Sequence, residues 1–380
     1  MFIKNFYLHD SNRNITINKI IFDDLNILVG TSGAGKTTIM HALYSVKAIA
    51  KGVSSPFDTW SIEFIDNIDR EIIWSGKFSD EIDTDEEDED EVSELLSEEI
   101  KIDGKIILTK SNGVTVYNGT PLPSLNKYKS NIYLLREDNL LNPVFNALDS
   151  IVIIFNETRE YSSSSSSPII PQKLLKKAEE FFLDKNVKIN DFSRFDSTID
   201  CREKIFFAYK YDKISFENFE FIYTSIFPSV LSIEPETIKR TSEKTQIERI
   251  ALFMTLKMTD GTIVHQPYIS SGMFKSMMIL ADLIFSNNKN LVIIDEIENS
   301  LGVNCLADII QEIKSSESQY ILSTHHPRII NDVPVDSWKI VSRKSGVIST
   351  RTADRIKNSS SNHDNFLQLI NSPDYLDGNI

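Results

Sequence analysis

The chain has 380 residues, 41% of them hydrophobic and 25% charged, with 22 Phe, which is enough apolar surface for a sizeable core and excludes a globally disordered protein. Its length exceeds the roughly 100–200 residues of one domain, and its two cysteines, Cys201 and Cys305, are too few for a disulfide framework or a four-ligand zinc site. The net charge of −15 is local: residues 80–99 carry 13 acidic and no basic side chains, and removing those 13 from the 55 acids leaves 42 against 40 Lys and Arg.

No apolar run approaches the roughly 18–20 residues needed to span a bilayer; residues 151–155 form one of the longest and are strand-sized. The first residues, Met-Phe-Ile-Lys-Asn-Phe, lack the ordered regions of a signal peptide, so a cytoplasmic protein is expected.

In chain order, residues 2–8, 14–22 and 25–29 alternate or run apolar as strands do, and 37–50 has helical periodicity. Short β-like runs follow at 61–65, 71–78, 101–109, 114–117 and 131–135, with turns at Gly104 and Asn112-Gly113, so a β-rich arm of antiparallel hairpins is predicted. The acidic stretch 80–99 reads as a solvated loop, and Ser162 to Ser167 as a linker. Beyond it, 174–183 and 216–226 read as helices, and 205–209 and 247–258 as strands. The last third alternates helix 273–285, strand 291–294, helix 305–314 and strand 320–323, the pattern of a parallel sheet with packed helices. A polar tail is expected from about residue 346.

Gly30-Thr31-Ser32-Gly33-Ala34-Gly35-Lys36-Thr37 lies between the strand 25–29 and the helix 37–50, which is the setting a phosphate-binding P-loop requires. Glycines let the backbone curl so that its N–H groups face phosphate oxygens, and the helix start adds positive potential. Gly30, Ser32, Gly33, Ala34, Gly35, Lys36, Thr37 and Thr38 are therefore the expected ATP-binding set, Lys36 reaching the β- and γ-phosphates and Thr37 ligating Mg2+. Leu291-Val292-Ile293-Ile294-Asp295-Glu296 is an apolar strand delivering two carboxylates at its carboxyl end, Asp295 for the metal and Glu296 for the attacking water. His9, His41, His265 and His363 are isolated and lack ligand spacing.

Lys36 and Asp295 are 259 positions apart, so the sheet must be interrupted by inserted chain. Ser270-Ser271-Gly272 precedes a helix ahead of Asp295, and Ser323-Thr324-His325-His326-Pro327 ends a strand in Thr-His. With these the chain resembles the ABC-type ATPases of the RecF, SMC and OLD (overcoming lysogenization defect) group, over about 1–50 and 262–345 by motif and over 51–136 by β-rich character alone. Glu-Asn-Ser-Leu after Asp-Glu is similar to OLD-like ATPases of bacterial antiphage systems. The resemblance implies an α/β P-loop NTPase fold of ABC-ATPase type, a mixed central sheet with an antiparallel β arm and an inserted mixed α/β region. The corresponding divisions are 1–140, 141–260, 261–345 and a tail 346–380.

The same resemblance implies that Ser270, Ser271 and Gly272 complete the nucleotide site of a second copy in an ATP-sandwiched homodimer or higher homo-oligomer. It further implies that Asn299 and Ser300 line the seam and that His325 is a γ-phosphate switch. The signature departs from transporter versions, with Met273 and Phe274 in place of glycine and glutamine, and no glutamine stands at 136–139, after the strand expected at 131–135. A Toprim-type nuclease follows the ATPase in OLD proteins; nothing after His325 has that size or an acidic cluster. The likeness therefore points to two-component antiphage systems such as PARIS and Septu, with ATP and Mg2+ as cofactors and a separate effector protein, a nuclease, as partner. The alternative is a RecF-like repair ATPase that binds DNA directly, for which Lys173, Lys176 and Lys177, or Arg240 and Lys244, are the candidate basic groups.

Overall fold

The computed structural model describes residues 1–55, 58–84, 91–123, 125–155, 168–195, 199–241, 248–286, 290–299, 303–353, 364, 367–369 and 371. In chain order the strands are β1 (Phe2–Asp10), β2 (Ile15–Ile21), β3 (Leu25–Val29), β4 (Asp58–Ile65), β5 (Glu71–Phe78), β6 (Asp83–Thr84), β7 (Glu91–Val92), β8 (Leu95–Ile102), β9 (Lys105–Ser111), β10 (Val114–Tyr117), β11 (Thr120–Pro121) and β12 (Val152–Ile154). They continue with β13 (Ile169–Ile170), β14 (Val230–Thr241), β15 (Glu248–Met258), β16 (Ile263–His265), β17 (Leu291–Ile294), β18 (Gln319–Ser323), β19 (Trp338–Lys344) and β20 (Val347–Thr352). The helices are α1 (Lys36–Ala50), α2 (Asn131–Leu134), α3 (Asn142–Asp149), α4 (Gln172–Phe181), α5 (Ile189–Phe195), α6 (Cys201–Tyr211), α7 (Lys213–Ile226), α8 (Ser271–Phe285), α9 (Val303–Ser315) and α10 (Pro327–Asp332). Two compact units result: Met1–Ile153 with Lys289–Asp295 and Ser318–Ile380, and Ile154–Asn288 with Glu296–Glu317.

The first unit is built on a sheet ordered β11-β10-β9-β8-β5-β4-β1-β2-β20-β19-β3-β18-β17-β12. Its middle is parallel: β3 pairs in parallel with β19 on one side and β18 on the other, and β18 pairs in parallel with β17. All four residues of β17 and all five of β18 are buried, as expected of strands covered on both faces. From β1 outward the sheet is an antiparallel meander, the β arm predicted from the sequence. There β4 alternates buried and half-buried residues along its whole length, the period of a strand with one face on a core. Trp60 of β4 packs edge-on against Trp74 of β5 with ring centroids 5.3 Å apart, and 5.6 Å from Phe78. A Cβ at Gly76 would meet the Trp60 ring at 2.5 Å and the Ser97 carbonyl oxygen at 2.9 Å, so glycine at this strand position makes room for the indole.

Several expectations are corrected. Residues 131–135 form no strand: Ser130 caps α2, its Oγ accepting from the Ile132 N–H at 3.1 Å, and a capped turn outweighs the local β propensity of Ile-Tyr-Leu-Leu. The acidic stretch 80–99 is not simply a solvated loop. β6 pairs with β7, and its last part is β8, where buried Glu98 accepts from Trp74 Nε1 (2.9 Å), Ser130 Oγ (2.5 Å), Asn131 N (2.8 Å) and Asn131 Nδ2 (2.7 Å). Residues 85–90 of that stretch, and the serine run at 162–167, lie outside the described residues. Val347–Thr352 is not tail but β20, antiparallel to β19 and parallel to β2.

In the second unit β13, β15 and β14 form an antiparallel sheet, with β16 also on β15. Residues 205–209, expected as a strand, lie inside α6, whose start is a capping box: Asp200 Oδ1 accepts from Glu203 N at 2.9 Å and Asp200 N donates to Glu203 Oε2 at 3.0 Å. The core of this unit is aromatic. Phe192 meets Phe207 at 5.5 Å, joining α5 to α6, and Phe219 meets Phe285 at 5.0 Å, joining α7 to α8. No helix among the described residues is long and apolar enough to cross a membrane.

Candidate functional site

The carboxyl end of β3 runs into the glycine-rich loop and then α1. The loop turns beneath the neighbouring strand: a Cβ at Gly30 would stand 2.6 Å from the Val341 carbonyl oxygen of β19, a backbone atom that cannot step aside. At Gly35 the backbone is left-handed, φ 106°, and forms the N-cap of α1 without a side-chain cap. The first N–H groups of α1 are thereby left facing out of the helix end, the arrangement that attracts an anion. Lys36, 6% exposed, folds back into the turn and donates from Nζ to the carbonyl oxygens of Gly30 (2.8 Å) and Thr31 (3.0 Å). Ser32, Gly33 and Thr37 are exposed, Thr38 is half-buried and Ala34 is buried. A Cβ at Gly33 would meet nothing within 4 Å, so the loop is open on that side.

Strand order brings the acidic residue to this corner. β18 lies between β3 and β17, with Ile294 opposite Leu322 and Ser323 opposite Leu28, so the chain leaves all three strands at one edge of the sheet. There the buried Asp295 accepts from Ser323 Oγ at 2.5 Å and from Thr37 Oγ1 at 3.4 Å, both on Oδ1. A hydroxyl and a carboxylate are the hard oxygen donors that Mg2+ takes, and two oxygens on adjacent vertices of its octahedron stand about 3 Å apart. Thr37 and Asp295 fit that ion. Ser323 precedes the Thr-His pair and has no role that its motif implies; its signal is a hydroxyl at the end of the buried run Tyr-Ile-Leu-Ser. His325 is exposed two residues further on, and His326 N donates to Thr324 Oγ1 at 3.0 Å.

The remaining predicted residues belong to the second unit. Ser270 is the N-cap of α8, its Oγ accepting from Met273 N at 3.3 Å, which leaves exposed Ser271 and half-buried Gly272 in the first turn. That turn is held by Tyr223 of α7, whose hydroxyl donates to the Met273 carbonyl at 3.1 Å; burial pushes this phenol's pKa up, with the nearby Cys305 adding to the effect. Glu296, joined to Asp295 by one peptide bond, has φ 45°, left-handed backbone that is unusual for a residue with a side chain. Asn299 N donates to the Glu296 carbonyl at 2.8 Å and Asn299 Nδ2 donates to Glu296 Oε2. Ser300 lies outside the described residues. The strand at the sheet edge beside β17 is β12, not 131–135, so residues 136–139 do not occupy the place expected for a lid loop; residues 156–167, which follow β12, are outside the described residues. Of the basic candidates, Lys173 and Lys176 are exposed and Lys177 half-buried on α4, and Lys244 is outside the described residues.

The family described as "AAA domain, putative AbiEii toxin, Type IV TA system" matches residues 25–331. The chain belongs to this family. That span opens on β3, closes in α10 and contains the loop, the signature segment and the acidic pair, so this AAA-domain chain is an α/β P-loop protein of the ABC-ATPase type with the mixed sheet and β arm described above. No curated protein matches the sequence. Similar solved structures are an SMC head bound to the C-terminal winged-helix domain of ScpA (17% identity, 92% of this chain and 97% of that one, TM-score 0.48) and the SMC head domain from Thermotoga maritima (13%, 93% and 99%, TM-score 0.41). A third is an Smc head with an extended coiled coil bound to the C-terminal domain of ScpA, derived from Pyrococcus furiosus (15%, 92% and 96%, TM-score 0.47).

Proposed function

We propose that this AAA-domain protein binds and hydrolyses ATP, and that nucleotide-driven pairing of two copies controls a separate effector protein, a nuclease, in bacterial antiphage defence. The observation that carries the reading is the shared carboxylate: Asp295 Oδ1 takes the Thr37 and Ser323 hydroxyls at the end of the strand next to the Lys36 loop. The triphosphate lies on the backbone of residues 30–38 with Lys36 Nζ exchanging the neutral Gly30 and Thr31 carbonyls for anionic phosphate oxygens, so that both donor and acceptor are charged. Mg2+ held by Thr37 and Asp295 would neutralise charge on the phosphates as they separate. Glu296 orients and deprotonates the attacking water, and His325, exposed beyond β18, answers to the γ-phosphate. Ser270, Ser271 and Gly272, with Asn299 and Ser300, meet the nucleotide held by the other copy. Support for a multi-protein setting comes from the family description, which names a toxin of a TA system.

The test is nucleotide affinity, phosphate release and mass in solution for the parent, Lys36→Ala and Glu296→Gln. Lys36→Ala is expected to bind ATP at least ~10-fold more weakly, one lost charge-assisted contact being worth about 1.5–3 kcal/mol. Glu296→Gln is expected to bind normally, hydrolyse little and accumulate as the dimer. Parent-like ATP affinity in Lys36→Ala would refute the site.

A further inference from the structure

Lys275 lies on α8 four positions beyond Ser271 and is 3% exposed. An ammonium taken out of water is strongly destabilising unless strong acceptors replace the solvent. Here Nζ donates to the Asn299 backbone carbonyl at 2.6 Å. Asn299 is the residue whose N–H closes the turn on the Glu296 carbonyl at 2.8 Å and whose side-chain amide donates to Glu296 Oε2. Glu296 itself has φ 45°, a left-handed conformation that is unfavourable for a residue with a Cβ and persists where its surroundings impose it. A buried cation on the signature helix thus grips the far end of the strained turn that carries the carboxylate.

We infer that Lys275 is a positioning residue: by holding the Asn299 carbonyl it keeps Glu296 in its left-handed turn and aims the Asn299 amide at the Glu296 carboxylate. The inference rests on Glu296 being the group that activates water. It adds a regulatory consequence, because the helix whose first turn offers Ser271 and Gly272 to a second copy is also the helix that sets the protomer's own Glu296. A displacement of α8 on pairing is passed to the carboxylate through the Lys275–Asn299 hydrogen bond and the turn that Asn299 closes on Glu296.

The experiment uses the full chain and compares steady-state kcat and KM for ATP, and the affinity for a fluorescent ATP analogue, in the parent, Lys275→Met, Lys275→Arg, Asn299→Ala and Glu296→Gln. Lys275→Met keeps the length of the stem and removes the donor; a carboxylate displaced by about 1 Å loses on the order of 100-fold in rate, so kcat should fall by ~10–100-fold with KM and nucleotide affinity within about 2-fold of the parent. Lys275→Arg, which retains a cationic donor, should recover much of the rate. Lys275→Met added to Glu296→Gln should slow it no further, since the residue acts through that carboxylate.

Parent-like kcat in Lys275→Met overturns the inference, and so does a joint loss of kcat and ATP affinity that Arg does not repair. Should Lys275→Met fail to fold, Asn299→Ala decides: the side chain is exposed, its loss leaves the carbonyl for Lys275, and an unchanged kcat would refute the relay. Parent-like hydrolysis in Glu296→Gln is a different failure, which removes the assignment of Glu296 and the relay with it while leaving the phosphate-binding corner intact.

Discussion

Asp58→Asn should stabilise the β arm above about pH 6 and leave it unchanged near pH 4. In the β1–β4 pair Asp10 stands directly opposite Asp58, and both carboxylates are buried, 9% and 7% exposed. Desolvation pushes Asp58 up from 3.8 to about 6; the Ser55 hydroxyl, which donates to Oδ2 at 2.5 Å, opposes the shift, and the facing Asp10 adds to it. Arg13 is engaged with Asp10, its Nε 3.1 Å from Oδ2, and relieves Asp58 only in part. A carboxyl whose pKa is raised by folding binds its proton more tightly in the folded state, so stability falls as pH rises between 3.8 and about 6 and stays at its lower level above that. The window is about 2.2 units wide, and at 1.36 kcal/mol per unit the ionised Asp58 costs about 3 kcal/mol at neutral pH. Asn keeps an acceptor for Ser55 and cannot ionise, so it should recover most of that. Because the chain has two units, a single global unfolding energy is ill-defined, and hydrogen exchange of the β1 and β4 amides at about pH 4 and about pH 8 is the suitable assay. Equal protection of parent and Asp58→Asn at the higher pH, or lower protection in the variant, would refute the reasoning.

Ser323→Ala removes a hydroxyl that donates to the buried Asp295 at 2.5 Å, a bond to a charged group worth about 1.5–3 kcal/mol. The Mg2+ concentration needed for half-maximal ATP binding should rise by ~10–100-fold, and saturating Mg2+ should restore binding; a superimposable titration would exclude Asp295 from the metal site. Lys204→Met removes the cationic partner of Asp282, 3% exposed on α8, which accepts from Lys204 Nζ at 2.6 Å and from Cys201 Sγ at 3.2 Å. Breaking a buried pair from one side costs about 3–5 kcal/mol, visible as lost exchange protection in α6 and α8, and adding Asp282→Asn should return part of it.

What could be read from the chain is what short-range physics determines. The run from β3 through Gly30, Gly33 and Gly35 into α1 carries its own signals: five residues ending in a buried apolar stretch, glycines where the backbone must turn, then Ile39, Leu43, Val46 and Ala50 on one helical face. β17 and β18 were equally plain, since a strand covered on both faces is a continuous apolar run. β20 could not be seen. Among its six residues only Ile348 is buried, and what makes Val347–Thr352 a strand is hydrogen bonding to β2 and β19, partners set by the whole sheet rather than by the segment. The helices at 131–134 and 201–211 failed for the opposite reason: their apolar, aromatic composition favours a strand, and single capping residues, Ser130 and Asp200, decide otherwise.

The functional residues divide in the same way. Lys36, Thr37 and Asp295 stand in motifs whose spacing is their meaning. Lys275 has none and Ser323 has only its place ahead of Thr-His; each is a polar group buried beside apolar neighbours, Ser323 after Tyr-Ile-Leu at the end of β18 and Lys275 within Met-Phe-Lys-Ser-Met-Met-Ile-Leu of α8. Most buried polar groups are hydrogen-bonded, so such a residue in a buried element predicts an acceptor without saying where it is. The partners, Asp295 and the Asn299 carbonyl, are 28 and 24 residues away along the chain. Composition raises the question and topology answers it, and at Lys275 the answer leads to Glu296: its left-handed backbone, φ 45°, is tied through Asn299 to the signature helix by the hydrogen bond from Lys275 Nζ.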